Sequence, residues 1–508
     1  MANRGEIAVR VMRACRELGC QTVAVYSDAD AGARHVRASD TAVRIGPAAA
    51  ADSYLRAEAI VEAALTSGAQ AVHPGYGFLS ERAEFAEACE AAGLVFVGPA
   101  PATLRELGDK LAARATAVAA EVPIVPGTLE PLRPEAQGWE DGLQREAERI
   151  GLPLLVKAAG GGGGRGMRRV IRAEDLLEAV SSAAREAAAA FGDGAVYLER
   201  YVDRARHVEV QLLGDGEGGI VALGERDCSV QRRHQKLVEE APAPGLTADQ
   251  RSTLHELAMR VARGAGLSNA ATAEFLLTPD TDFWFLEVNA RLQVEHGVTE
   301  LVADVDLVHE QLWLAAGWPL SERVRAAAAA AAEPRRHAIE VRVSAEDPAA
   351  DFAPAPGTIG RWREPGGPGV RLDSGVEEGS QVTTDYDPLL AKLLVAAADR
   401  PTALARMRRA LAEFEIGGLQ TTLSFHRWLL EEPDFVTGEG LATDLVSRSW
   451  HPAAVLPGAA LRAAELAAKA AAASSPARAA GAPASDAHDK AAERWWRQGI
   501  TESLERRP

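Results

Sequence analysis

Between Phe283 and His296 the chain reads Phe-Trp-Phe-Leu-Glu-Val-Asn-Ala-Arg-Leu-Gln-Val-Glu-His, and from Glu287 onward polar and apolar residues alternate strictly. An extended backbone puts Glu287, Asn289, Arg291, Gln293 and Glu295 on one face and Val288, Ala290, Leu292 and Val294 on the other. A solvated edge strand gives the same alternation, but here an upstream partner exists. Residues 273–277 (Ala-Glu-Phe-Leu-Leu) and 283–289 are joined by the turn-forming Thr278-Pro-Asp-Thr-Asp282, so a hairpin sets Glu274 opposite Glu287. Two carboxylates and an amide oxygen on one face suit Mg²⁺, a hard cation that takes oxygen ligands and is often shared between protein and nucleotide.

In a second run, Lys157-Ala-Ala leads into Gly160, Gly161, Gly162, Gly163 and Gly164, then Arg165, Gly166 and Met167, directly after the apolar pattern 154–156. Glycine loses more freedom on ordering than other residues, so the run is either a linker or a mobile lid. Its backbone N–H groups can wrap phosphate oxygens unhindered, and the flanking strand and lysine favour that reading. It is not a P-loop, since no Gly-Lys-Ser/Thr follows, nor a GxGxxG helix opener.

His207, Glu209 and Gln211 alternate with Val208, Val210 and Leu212, and Glu340 and Arg342 alternate with Ile339, Val341 and Val343. Three strands with such polar faces point to one shared cavity. Arg232-Arg-His-Gln-Lys236, followed by Glu239-Glu240, reads either as a solvated basic patch or as an anion site. Its lysine favours the anion site: only six of the 55 basic residues are lysines (Lys110, Lys157, Lys236, Lys392, Lys469 and Lys490), and an ammonium differs from a guanidinium as a phosphate partner.

The elements that must position these residues are legible in outline. Ile7, Val11, Ala14 and Leu18 fall at helical spacing, closed by Gly19, and a β-rich run follows at 22–26. Two more apolar strand runs, near 69–73 and 94–98, each follow an Ala/Glu-rich helix, which predicts a doubly wound parallel sheet. The chain opens at Met1-Ala-Asn-Arg-Gly-Glu6, on a strand-to-helix turn with no strand before it. Pro, Gly and Glu dominate from 123 to about 141, as in a linker, and another Ala-rich helix is expected at 325–332.

A length of 508 residues predicts several domains, and a formal charge of −17 works against electrostatic capture of nucleic acid or an anionic membrane. No stretch approaches the ~18 unbroken apolar residues of a membrane span. Cys15, Cys20, Cys89 and Cys228 include no CxxC pair, and the N-terminus carries no signal-peptide pattern, so the expectation is a reducing cytoplasm without structural disulfides.

Taken together, Asn3-Arg-Gly-Glu-Ile-Ala8, His73-Pro-Gly-Tyr-Gly-Phe-Leu-Ser-Glu81, the Lys157–Met167 run, Glu225-Arg-Asp-Cys-Ser229, Arg232–Lys236 and Glu287–His296 closely resemble biotin carboxylase, the ATP-grasp component of biotin-dependent carboxylases. The resemblance runs in order over about residues 2–448. It implies a mixed α/β and α+β protein with an N-terminal Rossmann-like domain at 1–98 and a linker at 99–142. An ATP-grasp lid at 143–201 and the ATP-grasp core with a C-terminal α+β domain at 202–450 follow. Residues 451–508 form an Ala/Pro/Ser-rich tail whose last stretch, with Trp495 and Trp496, is read as a partner-binding helix on a tether.

The same resemblance implies roles. Gly160–Gly164 and Gly166 would close over the phosphates of ATP, with Lys110 and Lys157 as charge partners. Glu199 and Val202 would face the adenine, and His207, Gln231 and His234 the ribose and phosphates. Glu274, Glu287 and Asn289 would hold Mg²⁺ or Mn²⁺, while Lys236, Arg291, Gln293 and Val294 would form the bicarbonate pocket. Glu295 matches the general base for bicarbonate, and Arg342 the cation that stabilises the biotin enolate.

Two features depart from the family pattern. Its members usually carry a short apolar strand before the Asn-Arg-Gly-Glu turn, so the expectation is a native start upstream of Met1 or a shortened N-terminus. Arg200 stands where the family often has lysine. No methionine neighbours a lysine, which places the biotin on a separate carrier protein; a carboxyltransferase subunit and a second copy of the chain are the other expected partners. Two rival readings remain at this point, an ATP-grasp ligase of the carbamoyl-phosphate synthetase type and a non-catalytic scaffold.

Overall fold

The alternating N-terminal pattern folds as expected, but into two parallel strand pairs instead of one sheet. In the computed structural model the described residues are 1–134, 139–160 and 167–452, and Met1–Trp450 pack as one unit. Gly161–Gly164 and Gly166, and the tail from 453 with Trp495 and Trp496, lie outside the described residues. Helix α1 (Gly5–Glu17) buries Ile7, Val11 and Ala14, while Leu18 falls beyond its end and is exposed. Gly19, at φ +74°, stops the helix: its N–H reaches Arg16 O and Cys20 N–H reaches Cys15 O, a Schellman ending that a Cβ would strain.

Strand β1 (Val23–Ser27) pairs in parallel with β2 (Thr41–Gly46), and β3 (Ala71–Val72) with β4 (Val95–Phe96). The first residues bridge the two pairs, since the Met1 ammonium donates to Val23 O at 2.7 Å and Ala2 N–H to His73 O at 2.9 Å.

The stretch read as a linker is more structured than its composition suggests. It carries helices α2 (Pro101–Gly108) and α3 (Lys110–Ala119), the latter capped by the Asp109 carboxylate on Leu111 and Ala112 N–H. Beyond them the backbone bonds strands on two sheets, Phe285 N–H to Pro123 O at 2.8 Å and Thr128 N–H to Leu198 O at 2.9 Å. Proline and glycine report the absence of regular structure, not the absence of partners.

A small antiparallel sheet follows, with β5 (Leu154–Ala158) between β6 (Arg168–Val170) and β7 (Val196–Arg200). Helices α4 (Trp139–Ile150) and α5 (Leu176–Phe191) cover it through Leu143, Ile150, Leu176 and Val180. The glycine run connects β5 to β6 along the chain, and of that run's glycines only Gly160 is described, in an exposed turn.

The main sheet has eight antiparallel strands. From one edge they run β12 (Phe283–Asn289), β11 (Ser268–Leu277), β8 (Arg206–Asp215), β9 (Ile220–Arg232), β10 (Gln235–Ala241), β13 (His337–Ser344), β15 (Leu389–Ala397) and β14 (Val370–Ser374). Period two sorts their side chains. Val208, Val210, Leu212, Phe275 and Phe285 pack against Leu254, Ala258 and Val261 of α6 (Ala248–Gly264), whose Thr247 and Gln250 form a capping box. Ile339, Val341 and Val343 pack against Met407 and Leu411 of α9 (Arg400–Glu413). Helix α7 (His296–Ala303) lies on the opposite face, and α8 (Leu307–Ala315) follows it. Glu322–Ala330 supplies the expected Ala-rich helix, and α10 (Leu423–Leu429) packs Phe425 beside Phe414.

Two measurements check this packing. Phe275 is fully buried and meets Phe285 edge to face at 5.8 Å, so Phe275→Ala is expected to lower unfolding free energy by about 3–5 kcal/mol in urea titrations. Glu240 is buried, which raises its carboxyl, but a 2.8 Å bond to His337 and the Arg400 guanidinium outweigh this and pull it down to about 2. The stabilisation is present above the ordinary carboxylate range and is lost as pH falls through about 2. The stability gap between wild type and Glu240→Gln should therefore be constant near neutrality and close progressively below about pH 4.5.

Candidate active site

Because side chains alternate, each of the strands β8 to β13 delivers polar groups to one cavity of about 730 Å³, ample for a nucleotide. His207 comes from β8, Gln231 from β9, Lys236 from β10, Glu274 from β11, Glu287 and Asn289 from β12 and Arg342 from β13. Lys157 and Glu199 of the small sheet, Val202 just beyond it, and Lys110 at the start of α3 complete the wall. The hairpin holds as expected, with Glu274 and Glu287 in register.

Lys236 is the centre of the floor. Its Nζ lies 2.5 Å from Glu209, 2.9 Å from Glu274 and 2.7 Å from Glu295. Burial works against its charge, yet the three carboxylates hold it well above the usual lysine range. Burial likewise opposes ionisation of Glu274 and Glu295, but the cations win and both stay far below the carboxylate range. Glu209 is fixed by Arg226, a fully buried guanidinium that also bonds Gln211, Thr299 and Thr272.

The tight turn between β9 and β10 sorts the basic run. Arg233 and His234 occupy it with φ of +49° and +66°, the two-positive geometry that closes a hairpin in two residues. Arg232 and Arg233 turn to Asp351 at 2.6 and 2.7 Å, while His234 and Lys236 face the cavity. The turn thus divides the run into arginines paired with Asp351 and residues that face the cavity.

On the other side, Lys157 and the fully buried Arg114 both bind Glu199, the arginine at 2.6 Å. Lys110 pairs with Glu287, and burial, then the nearby Lys157, brings it down to about 8. His207 spans 2.7 Å to Gln231 and 2.9 Å to Glu274.

The expected strand through Glu295 stops early. β12 ends at Asn289, and residues 290–295 turn into α7 with Glu295 as its N-cap. Asn289, Arg291 and Gln293 nevertheless stay together, since Arg291 donates to Asn289 Oδ1 at 3.0 Å, Gln293 Oε1 at 2.9 Å and, through Nε, pairs with Glu81 at 3.1 Å. Val294, assigned by alternation to the apolar face, lines the cavity because the turn reorients it. Glu295 is fully buried behind Lys236 and Arg342 instead of lying on the wall.

The donor set at Glu274, Glu287 and Asn289 is all hard oxygen, and in this structure each member leans on a cation: Lys236, Lys110 and Arg291 respectively. Oxygen donors grouped in this way at a cavity wall fit Mg²⁺ or Mn²⁺. Arg114, Arg226, Glu209 and Glu239 were not among the residues predicted for the site. Strand alternation flags Glu209, but an isolated arginine in an arginine-rich chain gives no signal.

Removing Arg226 leaves the buried Glu209 carboxylate with Lys236, a cation already shared with Glu274 and Glu295. Arg226→Met is expected to cost about 3–5 kcal/mol in urea unfolding, and the double variant with Glu209→Gln to recover part of it, because the under-compensated buried charge is then gone.

Comparison with known proteins agrees with this geometry. The biotin carboxylase N-terminal domain model matches residues 1–104, the ATP-binding domain model of the carbamoyl-phosphate synthase L chain matches 109–323, and the biotin carboxylase C-terminal domain model matches 340–448. The chain is 48% identical to a biotin carboxylase of Nostoc sp. over 438 residues, 86% of this chain and 96% of the relative. A biotin carboxylase complex from Campylobacter jejuni superposes with a TM-score of 0.83 at 41% identity, covering 88% of this chain and 97% of that one. The biotin carboxylase domain dimer of 2-oxoglutarate carboxylase from Hydrogenobacter thermophilus, solved with MgADP, ADP and bicarbonate, gives 0.82 at 43% identity over 88% and 96%. The ATP-binding model alone would allow a carbamoyl-phosphate synthetase, but the domains on either side of it are those of the other branch. With all three matches in order and near-complete coverage of such a relative, the chain belongs to the biotin carboxylase family of ATP-grasp ligases.

Proposed function

We propose that the cavity binds MgATP and bicarbonate together and that its residues divide the first half-reaction of a biotin-dependent carboxylase as follows. The adenine lies near Val202 and Glu199, the ribose and phosphates near His207, Gln231 and His234, and Lys110 and Lys157 offset phosphate charge. Gly160–Gly164 and Gly166 serve as the lid over those phosphates, within a lid unit at 143–201. Bound Mg²⁺ or Mn²⁺, held by Glu274, Glu287 and Asn289, would supply charge neutralisation at the phosphates.

Arg291, Gln293, Val294 and Lys236 hold the bicarbonate. Glu295 takes its proton, its oxygen attacks the γ-phosphorus, and ADP leaves, giving carboxyphosphate. Carboxyphosphate breaks into CO₂ and phosphate. That phosphate removes the proton from the biotin ureido nitrogen, Arg342 stabilises the ureido oxyanion, and the nitrogen attacks CO₂. Lid closure keeps water from both intermediates.

The observation that carries this reading is the Lys236 ammonium, shared by Glu209, Glu274 and Glu295 at 2.5–2.9 Å, with Arg342 on the second oxygen of Glu295 at 2.9 Å. It puts a buried base and two cations at one point of the cavity. We assign the biotin to a carrier protein or domain outside residues 1–508, where none of Met1, Met12, Met167, Met259 and Met407 adjoins a lysine, and expect a carboxyltransferase and a second copy as partners. The cytoplasm is the proposed location, consistent with four free cysteines. Among the described residues no helix is long and apolar enough to cross a membrane.

Phosphate release from MgATP, with bicarbonate and free biotin each present or omitted, tests the assignment. Turnover should rise only when both are present and stop on chelation of the metal. Glu295→Gln should lower it about 10²- to 10⁴-fold. Arg342→Gln should lose biotin carboxylation, followed with labelled bicarbonate, more than the slow biotin-free ATP hydrolysis. Turnover indifferent to biotin would overturn the reading.

A further inference from the structure

Arg342 has two carboxylate partners, and only one belongs to the proposed chemistry. Its Nη2 donates to Glu295 at 2.9 Å, while its Nε and Nη2 reach Oε1 of Glu239 at 2.6 and 2.5 Å. Glu239 is fully buried, does not line the cavity, and has its Oε1 taken up by the Arg342 guanidinium. Its second oxygen, Oε2, is buried without a hydrogen-bond partner, an open place for a proton.

The groups that face Glu239 are few. Lys236 lies on its own strand, Arg342 and Glu340 on β13, Glu295 at the start of α7, and Cys228 on β9. Glu340, paired in register with Glu239, is fully buried with neither oxygen bonded, and burial raises its carboxyl well above the usual range. Glu295 already carries the pull of Lys236 and Arg226. Its ability to accept a proton therefore depends on how much of the Arg342 charge is directed elsewhere.

We propose that Glu239 is a positioning residue that clamps Arg342 and shares its charge with Glu295, leaving Glu295 basic enough to deprotonate bicarbonate and Arg342 fixed for the later step. This rests on the reading of Glu295 as the base. Burial raises Glu239, with Glu295 adding to it and Arg342 opposing, to about 7. As pH falls through that value Glu239 takes a proton, releases its share of the guanidinium to Glu295, and the base weakens.

The test is kcat for ATP hydrolysis by the full chain, at saturating MgATP, bicarbonate and free biotin, from about pH 6 to about pH 9. Wild type should lose activity as pH drops through about 7. In Glu239→Gln this acid limb should vanish and the alkaline kcat fall roughly tenfold with KM for ATP unchanged, and Glu239→Asp should bring back a limb and part of kcat. A Glu239→Gln profile that matches wild type, while Glu295→Gln is inactive, overturns the role of Glu239 alone. Full activity in Glu295→Gln overturns the base assignment and this inference with it. Should Glu239→Gln fail to fold, Glu239→Asp decides, an unchanged limb and kcat counting against the proposal.

Discussion

The structure depends on keeping a lysine charged where there is almost no water. Lys236 is held among Glu209, Glu274 and Glu295, and each of those carboxylates is in turn tied to another group: Glu209 to Arg226, Glu274 to His207, Glu295 to Arg342. Removing any one charge leaves its buried neighbours under-compensated, which is more costly than a pair is stabilising. The cluster therefore fixes the side chains of five adjacent strands relative to one another. In a low-dielectric floor such fixed charges act on a reacting anion more strongly than they would in water, and they need not reorganise when it arrives.

That floor exists because the main sheet separates two tasks by face. One face of β8, β11 and β12 is Val, Leu, Ala and Phe packed on α6, and supplies cohesion. The opposite face carries His207, Glu209, Glu274 and Glu287, whose mutual spacing is set by antiparallel register. A slip of one residue would exchange the two faces, so the hydrophobic core enforces the geometry of the site. Lysine at 236 suits the arrangement: a compact ammonium can meet three carboxylates from three strands, whereas a planar guanidinium presents a fixed fork.

Much of this was legible beforehand where contacts are local. The hairpin that pairs Glu274 with Glu287 spans a five-residue turn that composition predicts, while a register shift between Glu274 and Phe275 sets the two carboxylates opposite each other. The chain beyond Asn289 was misjudged as extended because polar alternation persists there in the sequence, although the backbone turns into α7 and buries Glu295 behind Lys236. Residues 123–141 read as a linker by composition, and 99–142 by the resemblance, yet α2 and α3 lie in that span and their continuation is bonded to two sheets. Arg114 was invisible, since nothing local distinguishes a buried arginine from the many exposed ones, and Arg226 stood in the Glu225–Ser229 motif without a role.

By itself the sequence determined which polar residues are candidates for the chemistry, the alternation that puts most of them on common strand faces, and, through motifs quoted in order from residue 3 to residue 296, the family. Tertiary structure alone decided which charges neutralise which: that Glu295 sits behind two cations, that Glu199 is shared by Arg114 and Lys157, and that Arg342 is divided between Glu295 and Glu239. The physical reason is range. Periodicity and turn chemistry act over a few residues and are written in local order, whereas electrostatic compensation of a buried charge is settled by distance in space, between groups such as Glu239 and Arg342 that lie 103 residues apart in the chain.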